Sequence, residues 1–209
     1  MSARIAGLYA ITPDLADTDL LCRKARAALA GGATVLQYRN KSAAPALRRE
    51  QAERLHALCR EHGVPFVVND DIDLAIALGA DGVHLGRDDG PARAARERIG
   101  ASMLLGISCY DSLARADAAI AEGADHVAFG SAFPSRVKPN AVRASAALFA
   151  EARARYRAPI VAIGGITLDN APALIAAGVD AVAVISALFD APDIEQAASS
   201  FTALFSRPV

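Results

Sequence analysis

The chain has 209 residues, 53% of them hydrophobic and 22% charged, a content that describes one compact domain and excludes a disordered one. Twenty-two Lys+Arg against 23 Asp+Glu leave a net charge of -1, which supplies no general field for gripping a nucleic-acid backbone. Fifteen Gly and ten Pro without a three-residue period exclude collagen-like and low-complexity classes. Cys22, Cys59 and Cys109 are odd in number and far apart, so they read as reduced thiols rather than a disulfide framework or zinc ribbon. The segment from Met1 to Asp14 is too short, and too broken by Gly7 and Pro13, for a signal peptide. No stretch reaches the roughly 18 uncharged apolar residues of a membrane helix. The expectation is a cytoplasmic protein with neither nucleic-acid nor membrane partners, and with homo-oligomerisation left open.

Short β-branched runs recur along the chain, each followed by an alanine-rich stretch with helical spacing, and the pattern repeats as βα units. Strands are predicted at 7–12, 34–39, 66–69, 82–85, 104–108, 126–130, 160–164 and 181–186. Helices are predicted to begin near residues 18, 43, 72, 92, 112, 144, 170 and 194. Three strands follow near copies of one phrase: Gly79-Ala80-Asp81-Gly82, Gly123-Ala124-Asp125-His126 and Gly178-Val179-Asp180-Ala181. The Gly suits the left-handed stop of a helix, and the Asp suits a tight turn into the strand. Eight such units in this length, with no long insertion, predict a single (β/α)8 TIM barrel spanning residues 1–209.

A barrel builds its site from the loops at the C-terminal ends of its strands. Alternation along the second strand puts Val35, Gln37, Arg39 and Lys41 on one side, with Leu36 and Tyr38 facing the helices. Gln37 and Arg39 then point inward at the mouth, where a guanidinium fork and a Lys ammonium suit a multiply charged anion such as a diphosphate. The third strand ends in Asn69-Asp70-Asp71 and the fourth in Arg87-Asp88-Asp89, so carboxylates from neighbouring strands converge in a pattern that suits Mg2+. Asp71 equally suits the cap of the following helix, and Asp88 or Asp89 the cap of one starting at Pro91. Gly164-Gly165 after the seventh strand, ahead of a helix predicted to start around Thr167 to Asn170, suits a phosphate on backbone N–H groups. So does Ile185-Ser186 after the eighth. Lys138 lies in a Pro-bounded loop after the sixth strand that could close over phosphates. No histidine pair has metal-ligand spacing, and His84 and His126 read as core residues.

Leu36 to Lys41, Val68 to Ala75 and Gly79 to Asp89 resemble the thiamine phosphate synthase family. Gly106-Ile107-Ser108, the stretch from Phe129 through Lys138, Ile163 to Thr167 and Val184 to Ala187 follow in the family's order, so the resemblance covers nearly the whole chain. It implies a (β/α)8 enzyme joining 4-amino-5-hydroxymethyl-2-methylpyrimidine diphosphate to a thiazole phosphate. The products are thiamine phosphate, diphosphate and, from a carboxylated thiazole, CO2. The chemistry implied is dissociative: the pyrimidine diphosphate ionises to a carbocation, which the thiazole nitrogen attacks. Carried over by position, Gln37, Arg39, Lys41 and Asn69 line the pyrimidine diphosphate site, and Asp70 and Asp89 hold Mg2+. Ser108 and Lys138 complete the diphosphate cradle, making Arg39, Lys138 and Ser108 the expected catalytic groups.

Ser135, Gly165, Ile185 and Ser186 receive the thiazole phosphate in the same comparison. The family's sixth loop often reads Pro-Thr-x-Thr-Lys, whereas this chain has Pro134-Ser135-Arg136-Val137-Lys138. Val137 offers no side-chain donor there, and Arg136 is the residue placed to take over part of its role. A related thiazole tautomerase is the nearest alternative. Ser131 stands where the tautomerase places a catalytic His, and Asp89 is a carboxylate the tautomerase generally lacks. A non-catalytic phosphate-ligand barrel would need neither both carboxylates nor Mg2+.

Overall fold

The computed structural model describes residues 5–134 and 143–206. Eight parallel strands close into a barrel: β1 (Gly7–Ile11), β2 (Val35–Tyr38), β3 (Phe66–Asn69), β4 (Gly82–Leu85), β5 (Leu104–Tyr110), β6 (His126–Phe129), β7 (Ile160–Ile163) and β8 (Ala181–Val184), with β1 paired to both β2 and β8. The surrounding helices are α1 (Thr18–Ala30), α2 (Pro45–His62), α3 (Ile72–Leu78), α4 (Ala92–Ile99), α5 (Leu113–Ala121), α6 (Ala146–Arg155), α7 (Ala171–Ala176), α8 (Ser186–Phe189) and α9 (Ile194–Phe205). The barrel and its βα order match the sequence expectation. Most strands are shorter by a residue or two at their ends than the pattern suggested.

Two differences bear on the site. β5 runs on to Tyr110 through a register shift between Ser108 and Tyr110, where Tyr110 takes a left-handed φ of 58°. α8, a single turn after β8, carried no periodicity long enough to read from sequence. Helix starts follow short-range chemistry more closely: Asp17, Asp71, Ser112, Ser145 and Asp193 each accept the N–H three residues on.

Strand alternation divides the core in two. Leu36, Tyr38, Phe66, Val68, Val83, Leu85 and Val127 pack outward beneath the helices. Tyr9, Val35, Val67, Leu104, Ala128, Val161 and Ala183 fill the barrel interior. Tyr38 is anchored outside by Gln51, whose side-chain oxygen accepts its hydroxyl at 2.9 Å, so β2 turns Gln37 inward as predicted.

The repeated phrase has a specific task at the N-terminal rim. Asp81 accepts the Phe66 N–H at 2.8 Å, Asp125 the Leu105 N–H at 2.7 Å and Asp180 the Ile160 N–H at 2.8 Å. Each of these aspartates returns its own N–H to the carbonyl of the same residue. The turn before an even-numbered strand thereby clasps the start of the preceding odd-numbered one. Gly32-Ala33-Thr34-Val35 is a fourth copy with Thr for Asp: Thr34 donates its N–H to the Leu8 carbonyl of β1 at 2.9 Å, and its hydroxyl is shared between that carbonyl and the one of Ala6 just ahead of β1. Asp180 also pairs with Arg153 at 2.8 Å. Asp180→Ala strands the Ile160 N–H and the Arg153 guanidinium, so it is expected to cost about 2 kcal/mol and lower Tm by roughly 4–8 °C. Thermal melts check this, and turnover per folded molecule should stay at the parent value.

Candidate active site

The polar residues gather at the C-terminal rim because each strand ends where its inward alternation meets solvent. Gln37 is buried inside the mouth and donates its amide to the Tyr9 hydroxyl at 3.0 Å; burial raises the Tyr9 pKa, opposed by that bond. Arg39 leaves β2 with its N–H on the Thr12 hydroxyl at 2.9 Å, and the same hydroxyl donates to the Arg39 carbonyl at 3.0 Å. Its guanidinium pairs with Asp14 at 3.0 Å, and Asp14 also accepts the Lys41 N–H at 3.2 Å. Asp14 thus fixes the Arg39 guanidinium and the Lys41 backbone at the β2 exit. Sequence reasoning missed it, since only the β1–β2 pairing brings it there.

Lys41 reaches Asp70 at 3.1 Å. Asp70 has a left-handed φ of 64° and donates its N–H to the His84 carbonyl at 2.9 Å, so the turn that follows β3 is stitched to β4. Asp71 caps α3, accepting the Leu74 N–H at 2.9 Å, as its position suggested. Asp89 does not cap α4. It folds back onto the Gly86 N–H at 2.6 Å, which leaves its carboxylate beside Asp70. Burial raises the Asp89 pKa; the Gly86 N–H opposes the rise, the adjacent Asp70 carboxyl adds to it, and Lys41 counters. Lys41, Asn69, Asp70 and Asp89 line a cleft of about 440 Å3, together with Tyr38 and Asn40.

The donor chemistry fits Mg2+, which takes oxygen ligands and commonly only one or two protein carboxylates. Among the described residues no cluster of three or more His, Cys, Asp or Glu could hold an ion, so Asp70 and Asp89 would need substrate and water oxygens to complete a shell.

Across the mouth, Ser108 on β5 faces inward with its hydroxyl 2.9 Å from His84 Nε2. Arg115 holds the Ser108 carbonyl through Nε at 3.0 Å and the Gly86 carbonyl at 3.3 Å, tying the β5 and β4 exits together. Tyr110 lies under Arg87, 4.5 Å from guanidinium carbon to ring centroid. Gly165 has a left-handed φ of 64°, and its carbonyl accepts the Asn170 side-chain N–H at 3.0 Å. α7 begins at Ala171 after a turn that opens at Thr167, whose carbonyl accepts the Ala171 N–H at 3.0 Å and whose N–H donates to the Asn170 side-chain oxygen at 2.9 Å. A Cβ on Gly165 would stand 2.4 Å from the Pro134 carbonyl oxygen, so the loop after β6 already requires glycine there without a ligand. Ile185 follows β8 as the N-cap of α8 and packs against the interior core, and Ser186 opens α8. Ser108, Gly165, Ile185 and Ser186 thus stand on the rim outside the cleft. Ser135, Arg136, Val137 and Lys138 lie outside the described residues.

His84 and His126 are interior, as expected for core residues, and burial pushes their pKa values down to about 4 and about 3 from 6.5. Folded values below the unfolded one mean that the unfolded chain binds more protons on acidification. Their contribution to stability is whole above about pH 6.5 and drains as pH falls through the folded values. Denaturation midpoints are expected to fall as pH drops from 6.5 toward 4, and His126→Asn to flatten that slope.

The family model described as thiamine monophosphate synthase matches residues 8–188. A thiamine-phosphate synthase of Azoarcus sp. (strain BH72) is 53% identical over 206 residues, covering 99% of this chain and 100% of the relative. That of Methylobacillus flagellatus is 56% identical over 202 residues, covering 97% and 96%. The solved thiamine phosphate pyrophosphorylase from Pyrococcus furiosus superposes with a TM-score of 0.86 at 37% identity, covering 96% of each chain. The orotidine 5'-phosphate decarboxylase from Pyrococcus horikoshii OT3, at 14% identity and a TM-score of 0.70, shares the fold alone. With full-length relatives of one activity and a barrel in common with them, this transferase belongs to the thiamine monophosphate synthase family.

Proposed function

We propose that the cleft at the ends of β2 to β4 seats the pyrimidine diphosphate and that the β7 and β8 exits seat the thiazole phosphate, so that the two meet over the barrel mouth. The observation that supports this most is the convergence of Lys41, Asn69, Asp70 and Asp89 on one cleft, with Arg39 held beside it by Asp14. Arg39 and Lys41 bind the diphosphate oxygens, and Asn69 and Gln37 orient the pyrimidine end. Asp70 and Asp89 hold Mg2+. The ion, when bound, would neutralise charge gathering on the diphosphate as it departs.

The C–O bond to the diphosphate breaks with its electron pair, leaving a pyrimidinylmethyl carbocation, and the thiazole nitrogen supplies the pair that forms the new C–N bond. No side chain has to remove a proton for this exchange, which suits a mouth whose histidines are buried and neutral. The chain's contribution is charge complementarity for a leaving group that gains charge in the transition state, together with alignment of the two reactants. Ser108 donates to the diphosphate, and Lys138 covers it. Gly165, Ile185, Ser186 and Ser135 receive the thiazole phosphate, with Arg136 beside Val137 supplying the contact that a hydroxyl at 137 would make. Among the described residues no helix is long and apolar enough to cross a membrane, and unpaired Cys22, Cys59 and Cys109 suit the reducing cytoplasm we assign.

The test is diphosphate release from the purified protein supplied with pyrimidine diphosphate and Mg2+. Release that requires thiazole phosphate and matches thiamine phosphate formed is the expected result. Release without the thiazole, or none with both substrates, overturns the reading.

A further inference from the structure

Gly106 of β5 stands in register between His84 of β4 and His126 of β6, all three facing the barrel interior. A Cβ there would lie 2.5 Å from His84 Nδ1 and 2.3 Å from His126 Nε2, so the missing side chain is the space the two imidazoles occupy. Leaning over Gly106, the His84 ring meets the next inward residue of β5, Ser108, through Nε2 at 2.9 Å. Past Ser108 the strand slips register, and Arg115 pins the Ser108 carbonyl, so backbone and hydroxyl are each held by a separate partner.

The direction of that hydrogen bond follows from the other ring nitrogen. His84 Nδ1 is buried with no hydrogen-bond partner among the described residues. A neutral imidazole carries one donor and one acceptor. Were Ser108 to donate to Nε2, the ring proton would sit on Nδ1 as a buried orphan donor, which folded proteins tolerate less than an under-used acceptor. We propose that His84 is the positioning residue for Ser108: its Nε2–H donates to the Ser108 hydroxyl oxygen and leaves the hydroxyl hydrogen free to point to the diphosphate. A serine held by an acceptor instead would present lone pairs to an anion. The inference rests on the reading that Ser108 contacts the diphosphate.

Two measurements on the full-length protein test it. Long-range 1H–15N spectra of 15N-histidine protein at neutral pH, with and without inorganic diphosphate and Mg2+, are expected to show His84 Nε2 protonated and Nδ1 bare. The opposite tautomer overturns the proposal, whatever the variants do. In single-turnover assays, His84→Leu should lower the rate at saturating substrates roughly ten- to a hundredfold, below the loss from removing a direct anion donor. KM should hold within a few-fold. His84→Gln, whose side-chain N–H can replace the donor, should recover most of the rate. The His84→Leu/Ser108→Ala double variant should be no slower than Ser108→Ala alone. Parent-like rates in Ser108→Ala overturn the reading of Ser108 and the proposal with it. A slow Ser108→Ala beside a parent-like His84→Leu overturns the proposal only.

Discussion

Asp89→Asn protein is expected to bind Mg2+ more weakly by at least roughly ten- to a hundredfold, the range that outer-shell partners alone command, while its metal-free form melts no lower than the parent. The two halves have one cause. Asp89 and Asp70 are like charges held close in a partly desolvated cleft, an arrangement that burdens the empty fold and serves a cation. Asn removes the repulsion yet keeps an oxygen for the Gly86 N–H that Asp89 accepts at 2.6 Å. Asp70→Asn should lose affinity similarly. Asp71→Asn should be milder, because Asn caps a helix about as well as Asp and the 3.4 Å pair with Arg48 is half-exposed. Since Asp89 starts from a raised pKa, Mg2+ affinity should fall on acidification at a higher pH than an ordinary aspartate would dictate. Mg2+ titrations read by calorimetry, with melting curves beside them, check the set; equal titrations in all three variants mean the carboxylate pair is misassigned.

Gly165→Val is expected to lose stability and activity together, with Tm falling by roughly 10 °C. The turn needs φ of 64°, which β-branched residues resist, and the added Cβ would press on the Pro134 and Phe133 carbonyl oxygens at 2.4 and 2.8 Å. Those carbonyls belong to the loop that Ala132 and Phe133 bind to the β7 exit through N–H bonds to Ile163 and Gly164. Displacing it disturbs the mouth on both sides of β7. Thiazole phosphate affinity measured on this variant therefore reports loop damage as well as a blocked subsite. Gly165→Ala should show the same trend with smaller size. A parent-like melting curve for the Val variant would remove the packing described for Gly165.

The sequence carried the parts of this fold that depend on near neighbours. Alternation in β2 sent Gln37 inward and Tyr38 outward, and Asp71 lies one residue ahead of the helix it caps. Contacts that depend on register between strands were not legible. Asp14 meets Arg39 from 25 residues away, and His84 meets Ser108 from 24. Neither has a local motif, and His84 read as core because its interior position is the same whether or not a partner waits beside it. Gly164-Gly165 shows another limit: a glycine pair announces unusual backbone or close approach, without saying whether a phosphate or the chain itself comes near. The fourth rim phrase escaped because Thr34 does the aspartates' task with a different group, giving a hydrogen to carbonyls where they take one from an N–H.

Those four clasps divide the wall unevenly. Side chains at the N-terminal rim bind β1 to β2, β3 to β4, β5 to β6 and β7 to β8. At this rim the barrel is accordingly four locked pairs, while side chains cross the β2–β3 and β4–β5 seams at the opposite rim, through Lys41–Asp70 and His84–Ser108. A chain severed after α4 would leave all four of these clasps whole within its two fragments, parting instead His84 from Ser108 at the opposite rim. A cut between β3 and β4 would part Asp81 from Phe66 and leave a strand start to find its partner across a broken chain.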